Sequence, residues 1–329
     1  MKERDIRKQD ILERYLKLVE EDCKAFISKG EKLNEVNCPA CSSNAYTSEF
    51  TKNGFEYVTC ASCQTLYSRT RFSFDAIKQF YSQSASTEYW IKEFFAPMAE
   101  SRREKIFKPR AEYLVDYIGS DPAWFIGDIG AGFGLFLSEL QKIWQASIYV
   151  AVEPSPEQAD ICRKMNMQVE CCTLEDLQGY DERFDLLTAF ELFEHLYEPK
   201  KFLKNIYRIL KPGGLFLITT LNGEGFDIQV LWEQSNSIYP PCHINFFNPV
   251  SLSNLLRSEG FLIEEVETPG KLDWDIVEGA IKRGNTGMGR FWRLLSERGT
   301  PKSKRALQKW ISSHRFSSHM RILARKKTL

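Results

Sequence analysis

The chain has little histidine, no net charge and no long apolar run. Only 4 of its 329 residues are histidine, so the side chain that titrates nearest neutrality is offered for acid–base work at few places. Basic and acidic residues balance at 44 each, which leaves local asymmetry as the only electrostatic attraction to a partner. No hydrophobic stretch reaches the length of a membrane span. The start, Met1-Lys-Glu-Arg-Asp, carries mixed charge and not the apolar segment of a secretory leader. A cytoplasmic location is therefore expected. Four of the nine cysteines have metal spacing and the other five are scattered, which fits a reducing compartment. The chain is too long for one bare nucleotide-binding domain, and 43% hydrophobic residues allow a full core.

The most informative stretch is 126–134, Ile-Gly-Asp-Ile-Gly-Ala-Gly-Phe-Gly. Apolar residues 123–127 suit a buried parallel strand. Gly130, Gly132 and Gly134 then turn tightly into a helix, where a missing Cβ lets a ligand approach the backbone. Nineteen residues after Gly134, Glu153 ends a second apolar run. An acidic residue there grips ribose hydroxyls in a doubly wound fold, so the pair points to a nucleoside-bearing cofactor. The loop is not the dinucleotide G-x-G-x-x-G, and Leu135-Phe136 stands where a P-loop needs Lys-Ser/Thr. A glycine-rich turn without a ligand is the alternative.

Further on, Phe184-Asp-Leu-Leu-Thr-Ala-Phe190 reads as a strand running into Glu191-Leu-Phe-Glu194-His195-Leu. Residues 200–210 have helical apolar spacing, and Lys211-Pro-Gly-Gly214 precedes another strand. With Asp128 ahead of the loop, this order resembles the class I S-adenosylmethionine-dependent methyltransferases, in the subgroup with ubiquinone-type and sugar-type members. The resemblance covers roughly residues 119–265 and the last strand. It implies S-adenosylmethionine as cofactor, with Asp128, Gly130, Gly132 and Gly134 around its methionine part and Glu153 on the ribose. Thr173 or Glu175 would meet the adenine, and Phe190 would line the site.

The fold so implied is α/β, a doubly wound, seven-stranded Rossmann-like core. Strands are expected at 123–128, 147–152, 167–171, 184–190, 214–220, 261–267 and 319–326, the last antiparallel. Helices are expected near 133–145, 156–165, 200–210 and 249–259. Asp121-Pro122 should open the core. Residues 221–248 would form an extended connection, and 271–317 a basic helical insertion carrying Trp274, Trp292 and Trp310. Both would shape the substrate pocket at the carboxyl ends of the strands.

Ahead of the core, residues 1–35 read as a helix whose apolar stripe serves packing or dimerisation. Residues 36–72 hold Cys38-Pro-Ala-Cys41, then 18 residues, then Cys60-Ala-Ser-Cys63. Two such knuckles read as a Cys₄ zinc ribbon, with a hairpin around Asn53-Gly54. All four ligands are thiolates, so the zinc would be structural; a redox pair is the alternative. Residues 73–118 read as a helical, aromatic-rich lid that could turn Tyr81 or Tyr89 toward the site. Residues 119–329 are the core.

Charge is uneven. From Ile281 to Leu329 there are 14 Lys/Arg and one acid, Glu297, so this tail carries +13 and residues 1–280 carry −13. The tail either meets an anionic partner (a phosphate-bearing acceptor, a membrane surface, nucleic acid) or packs on its own acidic core.

Methyl transfer needs an aligned nucleophile and, for a hydroxyl or carbon acceptor, a base. His314 and His319 lie in the basic tail and final strand and read as structural. His195, beside Glu194, is a base or orienter. His243, in a stretch that resembles the family's H-x-x-F-F, ranks ahead of it, with Tyr239 as hydroxyl partner. A metal held by Glu191, Glu194 and His195 ranks below a simple base. The ribbon ahead of this core resembles that of bacterial sugar methyltransferases. The expected acceptor is thus a sugar, glycan, phosphate-bearing or lipid-linked molecule. The rivals are an RNA methyltransferase docking through the ribbon and a non-catalytic scaffold. Against RNA, residues 38–63 carry only Lys52 against Glu49 and Glu56.

Overall fold

The computed structural model describes residues 1–119, 123–145, 147–165, 167–285 and 287–328. The expected opening of the core at Asp121-Pro122 lies outside the described residues.

Helix α1 (Gln9–Ser28) buries Leu12, Tyr15, Val19 and Cys23 along one stripe. The stripe packs inside the same chain, in a cluster with Phe55, Tyr57, Phe80 and Tyr239. Strands β1 (Asn34–Glu35), β2 (Tyr46–Lys52), β3 (Phe55–Cys60), β4 (Leu66–Ser68) and β5 (Thr70–Arg71) follow. β2 and β3 form the hairpin the sequence suggests. Its turn residues Asn53 and Gly54 have φ of 50° and 87°, the left-handed pair that matches strand twist in a two-residue turn.

Helices α2 (Phe74–Gln83), α3 (Ala85–Tyr89), α4 (Ala96–Arg102) and α5 (Lys108–Ile118) form the lid segment. The last three run on through two π-helical turns, Trp90–Phe95 and Arg103–Phe107. Such turns are rare and recur at functional sites.

The core then alternates as β6 (Phe125–Ile129), α6 (Leu135–Ile143), β7 (Ile148–Val152), α7 (Pro156–Arg163), β8 (Gln168–Glu170), β9 (Phe184–Phe190), α8 (Pro199–Ile209) and β10 (Leu210–Leu221). Next come α9 (Phe226–Leu231), β11 (Asn245–Phe246), α10 (Pro249–Ser258), β12 (Phe261–Glu267), α11 (Asp273–Lys282), α12 (Arg290–Arg298), α13 (Pro301–Ser313) and β13 (His319–Lys326). The main sheet has seven strands in the order β12-β13-β10-β9-β6-β7-β8. β13 runs antiparallel to both neighbours, and the pairs from β10 to β8 are parallel. Both faces are covered, as a parallel sheet requires: one by the cluster around Ile129, Leu203 and Phe216, the other by Phe136, Leu137 and Trp144.

Boundaries differ from expectation where backbone chemistry intervenes. The helix expected from 133 starts at Leu135, because Gly134 is left-handed with φ 66°. The strand expected from 214 reaches back to Leu210, which pairs with Phe184 across a bulge.

The ribbon is not a separate bead. β11, from the connection after β10, pairs with β4 and completes a four-stranded sheet β11-β4-β3-β2. Cys38, Cys60 and Tyr67 share one apolar cluster with the core residues Phe193, Ile218 and Phe247.

Candidate active site

The site lies where β6, β7, β9 and β10 end. Gly130, Gly132 and Gly134 have φ of 72°, 57° and 66°, values that favour glycine. A Cβ on Gly134 would stand 2.9 Å from Cys162 Sγ. Glu153 directly follows β7 and is buried. Gly132 N donates to its Oε2 at 2.7 Å and Ser155 N to its Oε1 at 2.9 Å. Burial raises its pKa against these two bonds. Each oxygen still has a lone pair for a hydroxyl. Asp128 is buried and accepts from Thr188 Oγ1 at 2.6 Å, and burial raises it to about 7. Phe95 of the lid stacks on Phe133 of the glycine loop at 4.9 Å. Thr173 opens the turn after β8 and spends its hydroxyl on Asp176 at 2.8 Å, while Glu175 is exposed.

Arg110, on α5, carried no signal in the sequence. It is buried, lies 4.8 Å over the Phe190 ring, and donates from Nη2 to Glu191 Oε1 at 2.6 Å. Its Nη1 is buried without a partner, a costly state that a ligand carboxylate would relieve. Glu191 stands at φ 51° and accepts from Thr219 Oγ1 at 2.7 Å. Burial acts to raise its pKa, but His319 and Arg110 hold it at about 2. His319, read as structural from the sequence, lies 3.1 Å from Arg110 Nη2. The left-handed glycines, the half-used Glu153 carboxylate and the orphan N–H of Arg110 fit a nucleoside cofactor that also carries a carboxylate.

Next to this lies a cluster of ionisable and hydroxyl groups. Tyr239 Oη and His243 Nε2 are 2.7 Å apart, and His243 Nδ1 lies 2.7 Å from Ser237 O. A carbonyl only accepts, so Nδ1 carries the proton and Nε2 accepts from the tyrosine. Burial holds His243 well below the usual imidazole pKa. The His195 ring meets the His243 ring edge-on at 4.6 Å, and its Nδ1 is 3.1 Å from the Tyr81 hydroxyl. Of the two lid tyrosines, Tyr81 thus reaches the site, while Tyr89 packs beside the α1 cluster. Burial lowers His195 to about 4. Glu194 is buried, accepts from Thr220 Oγ1 at 2.7 Å, and is raised to about 8 by burial and then by Glu191. Ligand atoms of Glu194, His195 and His243 lie within 4.8 Å of one another. Glu191, expected with Glu194 and His195 as a metal ligand, is instead engaged by Arg110 and Thr219.

The four ribbon sulfurs also lie within 4.8 Å of one another, with Cys38–Cys63 and Cys41–Cys60 at 3.5 Å. A tetrahedron with bonds of about 2.3 Å to sulfur has edges of about 3.8 Å, so the set fits a closed, structural zinc site.

The sheet order, the single antiparallel strand, the glycine loop and Glu153 together define a class I S-adenosylmethionine-dependent methyltransferase domain. Comparison with known proteins agrees: residues 98–266 match the family described as Methyltransferase domain, and the chain belongs to it. The human mitochondrial ubiquinone biosynthesis O-methyltransferase is 30% identical over 155 residues, 42% of each chain. The ubiquinone biosynthesis O-methyltransferase of Coxiella burnetii (strain RSA 493 / Nine Mile phase I) is 32% identical over 101 residues, 29% of this chain and 42% of its own. The chain thus spans less than half the length of these two relatives. The solved complex between the Haloferax volcanii Trm112 methyltransferase activator and the putative methyltransferase shares the fold, with 17% identity and a TM-score of 0.50 over 72% of this chain and 96% of that one.

Proposed function

We propose that the protein transfers the methyl group of S-adenosylmethionine to a hydroxyl oxygen of a small, amphiphilic, anionic acceptor. The cofactor supplies an electrophilic methyl group, and the chain supplies position and a route for the proton. Glu153 would hold the ribose and Arg110 Nη1 the methionyl carboxylate, while Thr173 and Glu175 stand at the adenine end. The observation that carries the reading is the hydrogen-bonded Tyr239–His243 pair, set beside His195 and Tyr81. His243 Nε2 is unprotonated at neutral pH and accepts from Tyr239; burial lowers His243 and raises Tyr239, so the pair would hold the acceptor hydroxyl and take its proton only in concert with methyl transfer, as the sulfonium charge is lost. Glu194, protonated at pH 7, is no base there and would orient the acceptor. Zinc on Cys38, Cys41, Cys60 and Cys63 would brace the ribbon against the connection that bears His243.

The relatives' names speak for oxygen as the nucleophile and lend no support to a sugar or glycan in particular. RNA docking through the ribbon loses the β4 edge, which is taken by β11. The test is transfer from methyl-labelled S-adenosylmethionine to a panel of phenolic lipids, sugar nucleotides and RNA, followed by mass spectrometry. Label on a hydroxyl oxygen, lost in His243→Ala with cofactor binding kept, is the expected result. Label on carbon or on RNA would refute the reading.

A further inference from the structure

We propose that the outer faces of α12 and α13 dock the protein on a bilayer surface that carries anionic lipid. Part of the basic tail is paired within the chain. The cations on β13 serve the core: Arg321 pairs with Glu267, Arg325 with Glu264 at 2.7 Å and Lys326 with Glu182 at 3.3 Å. Lys304 pairs with Glu278 at 2.5 Å. By contrast, Arg290, Arg293, Arg298, Lys302, Arg305 and Lys309 are exposed and make no ion pair among the described residues. The two helices hold a single acid, Glu297. The acidic core therefore does not neutralise this surface.

These two helices and Phe316 just after them also expose apolar bulk. Phe291 is 62% exposed, Leu294 45%, Trp310 50% and Phe316 45%. Helical spacing puts Phe291, Leu294 and Arg298 on one stripe of α12, bordered by Trp292 and Leu295, which pack on the α11 cluster. On α13, Lys302, Arg305 and Lys309 share a stripe beside Ala306 and Trp310. Trp310 stacks on Phe316 at 5.6 Å. The helices are tied together by Lys304 Nζ donating to Ser296 O at 2.8 Å.

Cations alone would suit any polyanion. Phe, Leu and Trp interleaved with Arg and Lys suit the boundary between headgroups and acyl chains, where the rings and aliphatic groups sink in and the cations stay with the phosphates. An RNA backbone has no use for an exposed Leu294. The patch also adjoins the connection that carries Tyr239 and His243: Phe226 packs on Trp292 at 4.8 Å, and its N–H donates to Phe316 O at 2.7 Å. Docking would set that connection against the bilayer. The charge and apolar exposure of this surface do not depend on which acceptor the enzyme methylates.

The test is sedimentation of the full chain with vesicles of phosphatidylcholine alone and of phosphatidylcholine mixed with phosphatidylglycerol, without S-adenosylmethionine. The protein should sediment with the mixed vesicles, and less so as salt is raised. Each cation near an anionic surface adds roughly fivefold in affinity. The triple variant Lys302→Glu, Arg305→Glu, Lys309→Glu removes three attractions, worth on the order of a hundredfold, and adds three repulsions, so it should partition more weakly by at least that factor. The double variant Phe291→Ser, Trp310→Ser keeps every charge and should also release the vesicles. These residues are exposed, so cofactor binding should persist in both variants. Equal binding to neutral vesicles, unchanged partition in either variant, or a single-stranded RNA that outcompetes the mixed vesicles would overturn the proposal.

Discussion

At the residue scale, the site rests on backbone that only glycine adopts without strain and on carboxyls displaced by burial. Gly134 has φ 66° and its Cβ position lies 2.9 Å from Cys162 Sγ. Gly119 has φ 87° with open space around it. Alanine at Gly134 meets left-handed strain of about 1–2 kcal/mol, and at Gly119, whose ψ is 170°, strain of about 1–3 kcal/mol, but only Gly134→Ala also pushes the loop off α7. Calorimetric titration with S-adenosylmethionine should show roughly tenfold weaker binding for Gly134→Ala, about 1.4 kcal/mol, and parental binding for Gly119→Ala. The carboxyl of Glu194 yields a second prediction. Its pKa is raised to about 8 from a usual 4.5. Between these values the folded state keeps a proton that the unfolded state has lost, so the parent loses stability as pH rises through this window. His195, lowered to about 4 from 6.5, works the other way, adding stability as pH rises from about 4 to 6.5. Glu194→Gln removes the first effect alone. Its melting temperature relative to the parent should climb by several degrees from pH 5 to pH 8, and a flat difference would show that the carboxyl does not hold its proton.

At the scale of elements, the parallel sheet was legible because its central strands announce themselves by apolar runs with a turn or acidic residue at the end. The ribbon was legible from cysteine spacing, and Tyr239 with His243 from a local motif. Three pieces of the site were not. Arg110 is one cation among many on an amphipathic helix. His319 reaches Arg110 because β13 pairs antiparallel to β10, placing His319 opposite Leu221, a register that no local pattern encodes. β11 is two residues long, and only its partner β4 makes it a strand. That last pairing has a consequence. Tyr57 Oη donates to His243 O at 2.7 Å, and Arg71 donates to Ile244 O at 3.3 Å and Asn245 Oδ1 at 2.8 Å. The ribbon thus holds the His243 segment. Cys60→Ser should release one zinc per chain and lower transfer to the acceptor at least tenfold, with S-adenosylmethionine affinity changed less than threefold, because the glycine loop and Glu153 lie on other elements. Equal losses of transfer and cofactor affinity would place the ribbon's influence elsewhere.

At the scale of the whole molecule, the question is whether the ribbon and the Rossmann-like core unfold as one body. The cysteine framework by itself suggests a module that could melt alone. The packing argues otherwise. Cys38 and Cys60 lie in the apolar cluster of Phe193, Ile218 and Phe247 on one face of the sheet. α1, the ribbon strands and the lid share a second cluster with Tyr239 and Phe246 of the connection after β10. The ribbon cannot open without exposing core side chains at roughly 25 cal/mol per Å² of apolar area, so the two parts should be thermodynamically coupled. Scanning calorimetry of the zinc-loaded chain should show one transition, coincident with loss of near-ultraviolet dichroism. Saturating S-adenosylmethionine should raise that transition, since it binds only the folded state. A chelator should lower the whole transition by several degrees without splitting it. A chelator-sensitive shoulder that melts first while cofactor binding persists would mean that the ribbon is held by its metal alone, and that the shared clusters contribute little to the coupling.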